Sequence, residues 1–307
     1  MRLLAVGACA TGGYFGARLA AAGRDVTFLL RPGRAAQIRA DGLRVVSPHG
    51  DLTMAPEIVE TGKLSGYYDA ILLSVKAFSL APALEDLAPA VGPDTMIMPV
   101  LNGMKHVEAL KARFGNKAII GGVCRIAGTV DAQGRIVQLS PMQGLTYGEF
   151  DGAASARMKA LDAFLQGAGF DARLSAAIER EMWEKWLFLA SLCAITCLMR
   201  GTIGEVVAAP GGLAVANGLL DEILAIIRTA GVAPGEAAAA GARDMLTAEG
   251  STLTPSLYRD LQNGSAIEAD QIIGDLLVRG EAAGVAAPLL AAVYAQLSIY
   301  QARLTAA

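Results

Sequence analysis

The chain has 307 residues, enough for two domains of ordinary size that each bury a substantial core. Hydrophobic residues make up 53% and charged residues 18%, and a formal net charge of -3 is too small and of the wrong sign for a nucleic-acid binder. Cys9, Cys124, Cys193 and Cys197 show no C-x-x-C spacing and lie away from His49 and His106, so neither a zinc site nor a disulfide framework is indicated. In chain order, residues 3–6 predict a short apolar strand, and residues 12–22 a small-residue helix that stops at Gly23. A second strand, "DVTFLL", covers residues 25–30, and a helix opened by Pro32 ends near Gly42. Further strands are expected at 43–47, 70–74, 95–99 and 118–124, with helices at 80–87 and 105–114 between them. This alternation predicts an α/β domain with a mostly parallel sheet covered by helices.

Beyond Gly148 the texture changes. Residues 155–166 and 177–199 read as helices, and the remainder as almost wholly α with breaks at Pro234, Pro255 and Pro288. The boundary falls near Ser175, where "DARLSAAIERE" passes from a last short strand into a long helix, giving domains of 1–175 and 176–307. The uncharged run 186–199 is shorter than the ~20 residues that span a bilayer, so it is read as a buried core helix and no membrane partner is expected. The apolar N-terminal run is itself a strand, so a cytoplasmic enzyme is expected.

The stretch "AVGACATGG" between the first strand and helix carries Gly7 and Gly12 at the first and third positions of G-x-G-x-x-G, with Cys9 at the second. Short glycine patterns recur by chance in a chain with 35 glycines. Here the pattern sits where unpaired helix N–H groups and the helix dipole would meet a pyrophosphate, which favours a dinucleotide site over a purely structural turn. Cofactor choice is written at the end of the second strand, where an acid suits the ribose of NAD and an arginine the 2'-phosphate of NADP. This chain has Arg31 there, with Arg34 close by and no acid before Asp41, so NADPH is the expected cofactor. The alternative is that these arginines are solvated surface charges.

With that turn, Arg31, "SVKA" at 74–77 and "LNGM" at 101–104 in view, the chain resembles the ketopantoate reductase family nearly end to end. "GGYFGARLAAAGRDVTFLLR" is similar to that family's opening, "WEKW" at 183–186 to the start of its central helix, and "SLYRD" with Glu268 to its C-terminal active-site segment. The resemblance implies a Rossmann-type N-terminal domain followed by an all-α C-terminal domain, and reduction of a small-molecule 2-keto acid with NADPH. It implies Lys76 and Asn102 as cofactor and substrate contacts, Lys185 and Glu268 as catalytic residues, and Ser256 as a substrate partner. A homodimer is carried as a candidate assembly.

The chemistry supports the same residues. Hydride attack on a ketone develops negative charge on oxygen, and a lysine can both stabilise and protonate that oxygen. On helix geometry alone Lys185 would instead pair with Glu181, Asn102 would equally be a turn residue before Gly103, and Lys76 a surface charge at a strand end.

Lys185, Leu189 and Cys193 are spaced four apart, so on a helix they share a face, and the sequence assigns Leu189 and Cys193 to the substrate-facing wall. Family members commonly carry asparagines after the lysine. Leu and Cys cannot hydrogen-bond a substrate hydroxyl well, which puts ketopantoate itself in doubt. Cys9 is the second departure: a thiol here could crowd the pyrophosphate and a helix N-terminus tends to lower its pKa, so Cys9 is read as a tolerated small residue that weakens cofactor binding, the alternative being an oxidisable thiol that regulates it. Two rival functions remain at this level, an NAD-dependent 2-hydroxy acid dehydrogenase on the same scaffold and a non-catalytic dinucleotide-binding sensor.

Overall fold

The computed structural model describes residues 1–306. The chain divides into two compact units, Met1–Leu101 with His106–Ile178, and Asn102–Lys105 with the chain from Glu179 onward. In the first unit the strands are β1 (Arg2–Val6), β2 (Asp25–Leu30), β3 (Leu43–Val46), β4 (Leu52–Met54), β5 (Glu57–Glu60), β6 (Ala70–Leu73), β7 (Met96–Pro99), β8 (Gly121–Val130), β9 (Ile136–Gly148) and β10 (Asp171–Leu174). Its helices are α1 (Ala10–Ala21), α2 (Pro32–Asp41), α3 (Leu80–Leu87), α4 (Lys105–Phe114) and α5 (Ala156–Leu165).

Strands pair in the order β5-β2-β1-β6-β7, all parallel. In β1, Leu3 and Ala5 enter one apolar cluster with Tyr14, Phe15 and Phe28, while Leu4 and Val6 enter another with Ile71, Leu73 and Ile97. The sheet is therefore buried on both faces, which explains why "RLLAV" and "AILL" are continuously apolar rather than alternating. From β1 the chain builds outward to β2 and β5 on one side, then returns to build β6 and β7 on the other. The C-terminal ends of β1 and β6 thus flank a topological switch point, where open α/β sheets bind ligands.

A second, mixed sheet joins β10-β9-β3-β4, with β8 along the other edge of β9. Here the structure departs from the expected parallel series. The strand expected at 43–47 pairs antiparallel with β4, and from the segment 118–124 only Ile119 bridges the parallel sheet, at Ile97, before the chain turns into β8. The cause is local. Asp131 accepts hydrogen bonds from the N–H groups of Gln133 and Arg135 at 3.0 and 2.8 Å, and Gly134 takes φ +71°, so a tight turn replaces a helical crossover and forces β8 and β9 antiparallel.

The second unit is helical: α6 (Ile178–Met199), α7 (Ile203–Ala208), α8 (Gly212–Ala230), α9 (Glu236–Leu246), α10 (Ser256–Gln262), α11 (Asp275–Ala282) and α12 (Pro288–Ala306). Among the described residues α6 alone is long and apolar enough to cross a membrane, but 67% of its most apolar stretch is buried inside the protein, as a core helix requires. A π-helical turn, Asp270–Gly274, runs directly into α11.

Candidate active site

Gly7 follows β1 with φ +89°, a conformation that disfavours any residue with a side chain. Cys9 caps α1 in an ordinary extended conformation (φ -86°, ψ -172°) and makes no side-chain cap bond. The backbone therefore tolerates a cysteine there. The first intrahelical bond runs from Gly13 N to Cys9 O at 2.9 Å, leaving the first-turn N–H groups of α1 without helical acceptors. A Cβ at Gly12 would lie 1.8 Å from Ser74 Oγ and 3.0 Å from Gly7 O, so only glycine lets α1 pack this closely on the ends of β1 and β6. The two glycines shape a cradle with N–H groups at its mouth, which fits a dinucleotide pyrophosphate.

Three cations act on the sulfur of this turn. Arg31 directly follows β2, caps α2 and is exposed. Lys76 follows β6 and is half-buried. Arg34 braces the fold. Its guanidinium donates to Ala8 O at 3.2 Å, Gly134 O at 2.9 Å and Gln37 Oε1 at 2.6 Å, buckling the glycine turn, the β8–β9 hairpin and α2 together.

The Cys9 side chain is exposed, but the loop around its sulfur pushes the thiol up from its ordinary range, and Arg34, Lys76 and Arg31 pull it down by less. The net direction runs against the thiolate that a helix N-terminus tends to favour.

In the helical unit Lys185 and Leu189 are half-buried on α6, whereas Cys193 has no exposed surface. The stripe thus sinks into the core along its length, because Leu192, Ala194 and Ile195 bury the helix on every side. Cys193 backs the wall expected to face substrate and presents no surface of its own. Trp186, next to Lys185, donates its indole N–H to Ile272 O at 3.0 Å, and Arg279 lies 5.6 and 5.8 Å from the ring centroids of Trp183 and Trp186.

Glu268, just before the π turn, is 8% exposed, unusual for a carboxylate, and its carbonyl accepts Ile272 N–H at 3.1 Å. Asn102 is half-buried, and its carbonyl accepts a hydrogen bond from Gln271 Nε2 at 2.9 Å. Ser256, half-buried, opens α10, and the bonds joining Asn102, Glu268 and Trp186 do not include it. Sequence reasoning missed Gln271 and the indole bond. The only hint was "LNG", whose Gly103 takes φ +75°.

A parallel sheet with a glycine cradle at its switch point, followed by a helical unit, is the architecture of a two-domain dinucleotide-binding protein. The family models described as "Ketopantoate reductase PanE/ApbA" and "Ketopantoate reductase PanE/ApbA C terminal" match residues 3–152 and 177–301. The chain belongs to the ketopantoate reductase family. It is 34% identical over 302 residues to the uncharacterized oxidoreductase YkpB of Bacillus subtilis, covering 98% of this chain and 99% of that one. Its structure is similar to that of 2-dehydropantoate 2-reductase from Geobacter metallireducens, with a TM-score of 0.87, 28% identity, and coverage of 97% and 99% of the two chains. The fold also matches D-mandelate dehydrogenase, solved with NADH and anilino(oxo)acetate, at a TM-score of 0.88, 19% identity, and coverage of 99% and 100%.

Proposed function

We propose that the chain reduces a 2-keto acid to the 2-hydroxy acid with NADPH. The observation that carries this reading is Arg31, exposed directly after β2 at the start of α2, on the same edge of the parallel sheet as the glycine turn. With Arg34 committed to the fold, Arg31 is the cation available at the diagnostic strand end for a 2'-phosphate. Gly7, Cys9 and Gly12 form the pyrophosphate turn, with Lys76 and Asn102 as further cofactor contacts. When bound, the reduced nicotinamide supplies the hydride. Lys185 meets the negative charge that arises on the keto oxygen and gives it a proton. Glu268 is the second catalytic group, a buried acid fixed at the head of the π turn. Ser256 and Asn102 hold the substrate carboxylate and carbonyl, and Leu189 forms an apolar wall.

The test is a screen of 2-keto acids with NADPH and with NADH, using the wild-type chain and Lys185→Ala. NADPH should be consumed only when a keto acid is present and more efficiently than NADH, and Lys185→Ala should lower turnover by about two orders of magnitude with cofactor affinity nearly unchanged. Equal use of NADH would favour an NAD-dependent dehydrogenase. Cofactor binding without turnover on any keto acid would favour a sensor.

A further inference from the structure

The groups assigned to proton transfer and carbonyl recognition lie on three separate stretches of the helical unit, and one short turn touches all three. The π turn Asp270–Gly274 begins two residues after Glu268. Its five-residue ring departs from the α-helical ladder, so polar groups can be directed to partners outside the helix. Ile272 is held from both sides. Its N–H donates to Glu268 O at 3.1 Å, and its carbonyl accepts the Trp186 indole at 3.0 Å. Trp186 immediately follows Lys185 on α6, so this pair of bonds couples the lysine-bearing turn of α6 to the segment that starts at Glu268.

Gln271 supplies the third connection. Its side chain is 5% exposed, and Nε2 donates to Asn102 O at 2.9 Å. The next residue in that loop, Gly103, has φ +75°, and a Cβ there would lie 2.5 Å from Gln271 O. The loop backbone thus rests directly on the π-turn backbone, with no side chain between them. Glycine permits the approach, and the Gln271 amide fixes its register. An apolar side chain of the same length could fill the space but would leave the Asn102 carbonyl without this donor, a loss that costs more than the bond itself contributes.

We propose that Gln271 is a positioning residue for the reaction. By holding the Asn102 carbonyl it sets the loop backbone, and so the direction of the Asn102 side chain, against the same turn that anchors Glu268 and Trp186. This rests on the reading of Asn102, Lys185 and Glu268 as active groups. Gln271 need not touch substrate or cofactor. Its effect passes through Asn102, and a displacement of about 1 Å in a reacting geometry can cost up to about a hundredfold in rate.

The experiment is a double-mutant cycle on kcat/KM for the preferred 2-keto acid, with wild type, Gln271→Met, Asn102→Ala and the double variant, and thermal stability measured alongside. Gln271→Met keeps length and burial but removes the donor. The expected result is a fall of about tenfold in kcat/KM for Gln271→Met in the wild-type background and less than twofold in the Asn102→Ala background, because the residue to be positioned is then gone. A loss of the same factor in both backgrounds would mean that Gln271 acts only as packing, and would overturn the proposal. So would full activity of Gln271→Met while Asn102→Ala is impaired. If Asn102→Ala is itself fully active, the assignment of Asn102 fails and the positioning role falls with it. Should Gln271→Met not fold, Gln271→Glu keeps the shape and loses the donor when ionised, and is read by the same cycle.

Discussion

Gly12 is the residue on which the glycine turn depends most. With Ser74 Cβ at 2.9 Å and Gly7 O at 3.0 Å from the position of a methyl group, Gly12→Ala must push α1 off the strand ends. The expected cost is about 1–3 kcal/mol of stability together with weaker NADPH binding, read by urea denaturation and calorimetry. Unchanged affinity would mean that the turn does not hold the cofactor. Cys9 is a milder case, because its backbone is unstrained and its side chain exposed. Cys9→Gly should tighten NADPH binding only a few-fold, by allowing closer approach of the pyrophosphate. The glycine spacing was legible in the sequence. The surroundings of Cys9 were not, because a helix N-terminus can be read from a pattern whereas the approach of Arg34, Lys76 and Arg31 to the sulfur depends on the fold.

At the scale of elements, the junction of β9 and α5 carries a testable ion pair. Arg157 donates to both carboxylate oxygens of Glu149, at 2.7 and 2.6 Å, and Ser155, which caps α5, donates at 2.8 Å. Arg157, with Ser155, holds the Glu149 carboxyl below its usual range against the opposing effect of burial. A depressed folded pKa means that the stabilisation is complete above the ordinary carboxylate value and is lost as pH falls through the folded one. Glu149→Gln should therefore cost about 2 kcal/mol in urea denaturation at neutral pH, and the gap to wild type should close as pH falls below about 4. A gap that persists in acid would assign the loss to shape rather than charge.

Elements with one clear period were read from sequence with their ends: β2, α3 and α4 fall on residues 25–30, 80–87 and 105–114. By contrast β9 was missed, because Pro141 and Gly144 interrupt its alternation while its three neighbouring strands supply the pairing. The π turn was equally hidden. Nothing in "DQIIG" separates it from an α turn until Trp186 and Asn102 bond to it.

At the scale of the molecule, family membership follows from both halves of the chain, while substrate choice turns on a few side chains. In the proposed site Leu189, half-buried on α6, offers no hydrogen bond to a substrate hydroxyl, and an apolar wall discriminates by only ~1–3 kcal/mol per methylene. Keto acids with plain aliphatic or aromatic side chains should thus be reduced at least as efficiently as ketopantoate, and Leu189→Asn should shift the kcat/KM ratio toward ketopantoate. A strong native preference for ketopantoate would place hydroxyl recognition elsewhere.

The reaction itself is tested most directly by following the hydride. The protein is incubated with NADPH doubly deuterated at C4 of the nicotinamide and with the best 2-keto acid of the screen, and the product is analysed by mass spectrometry and NMR. The account predicts a 2-hydroxy acid carrying one deuterium at C2. Absence of the hydroxy acid, or a hydroxy acid unlabelled at C2, would contradict it.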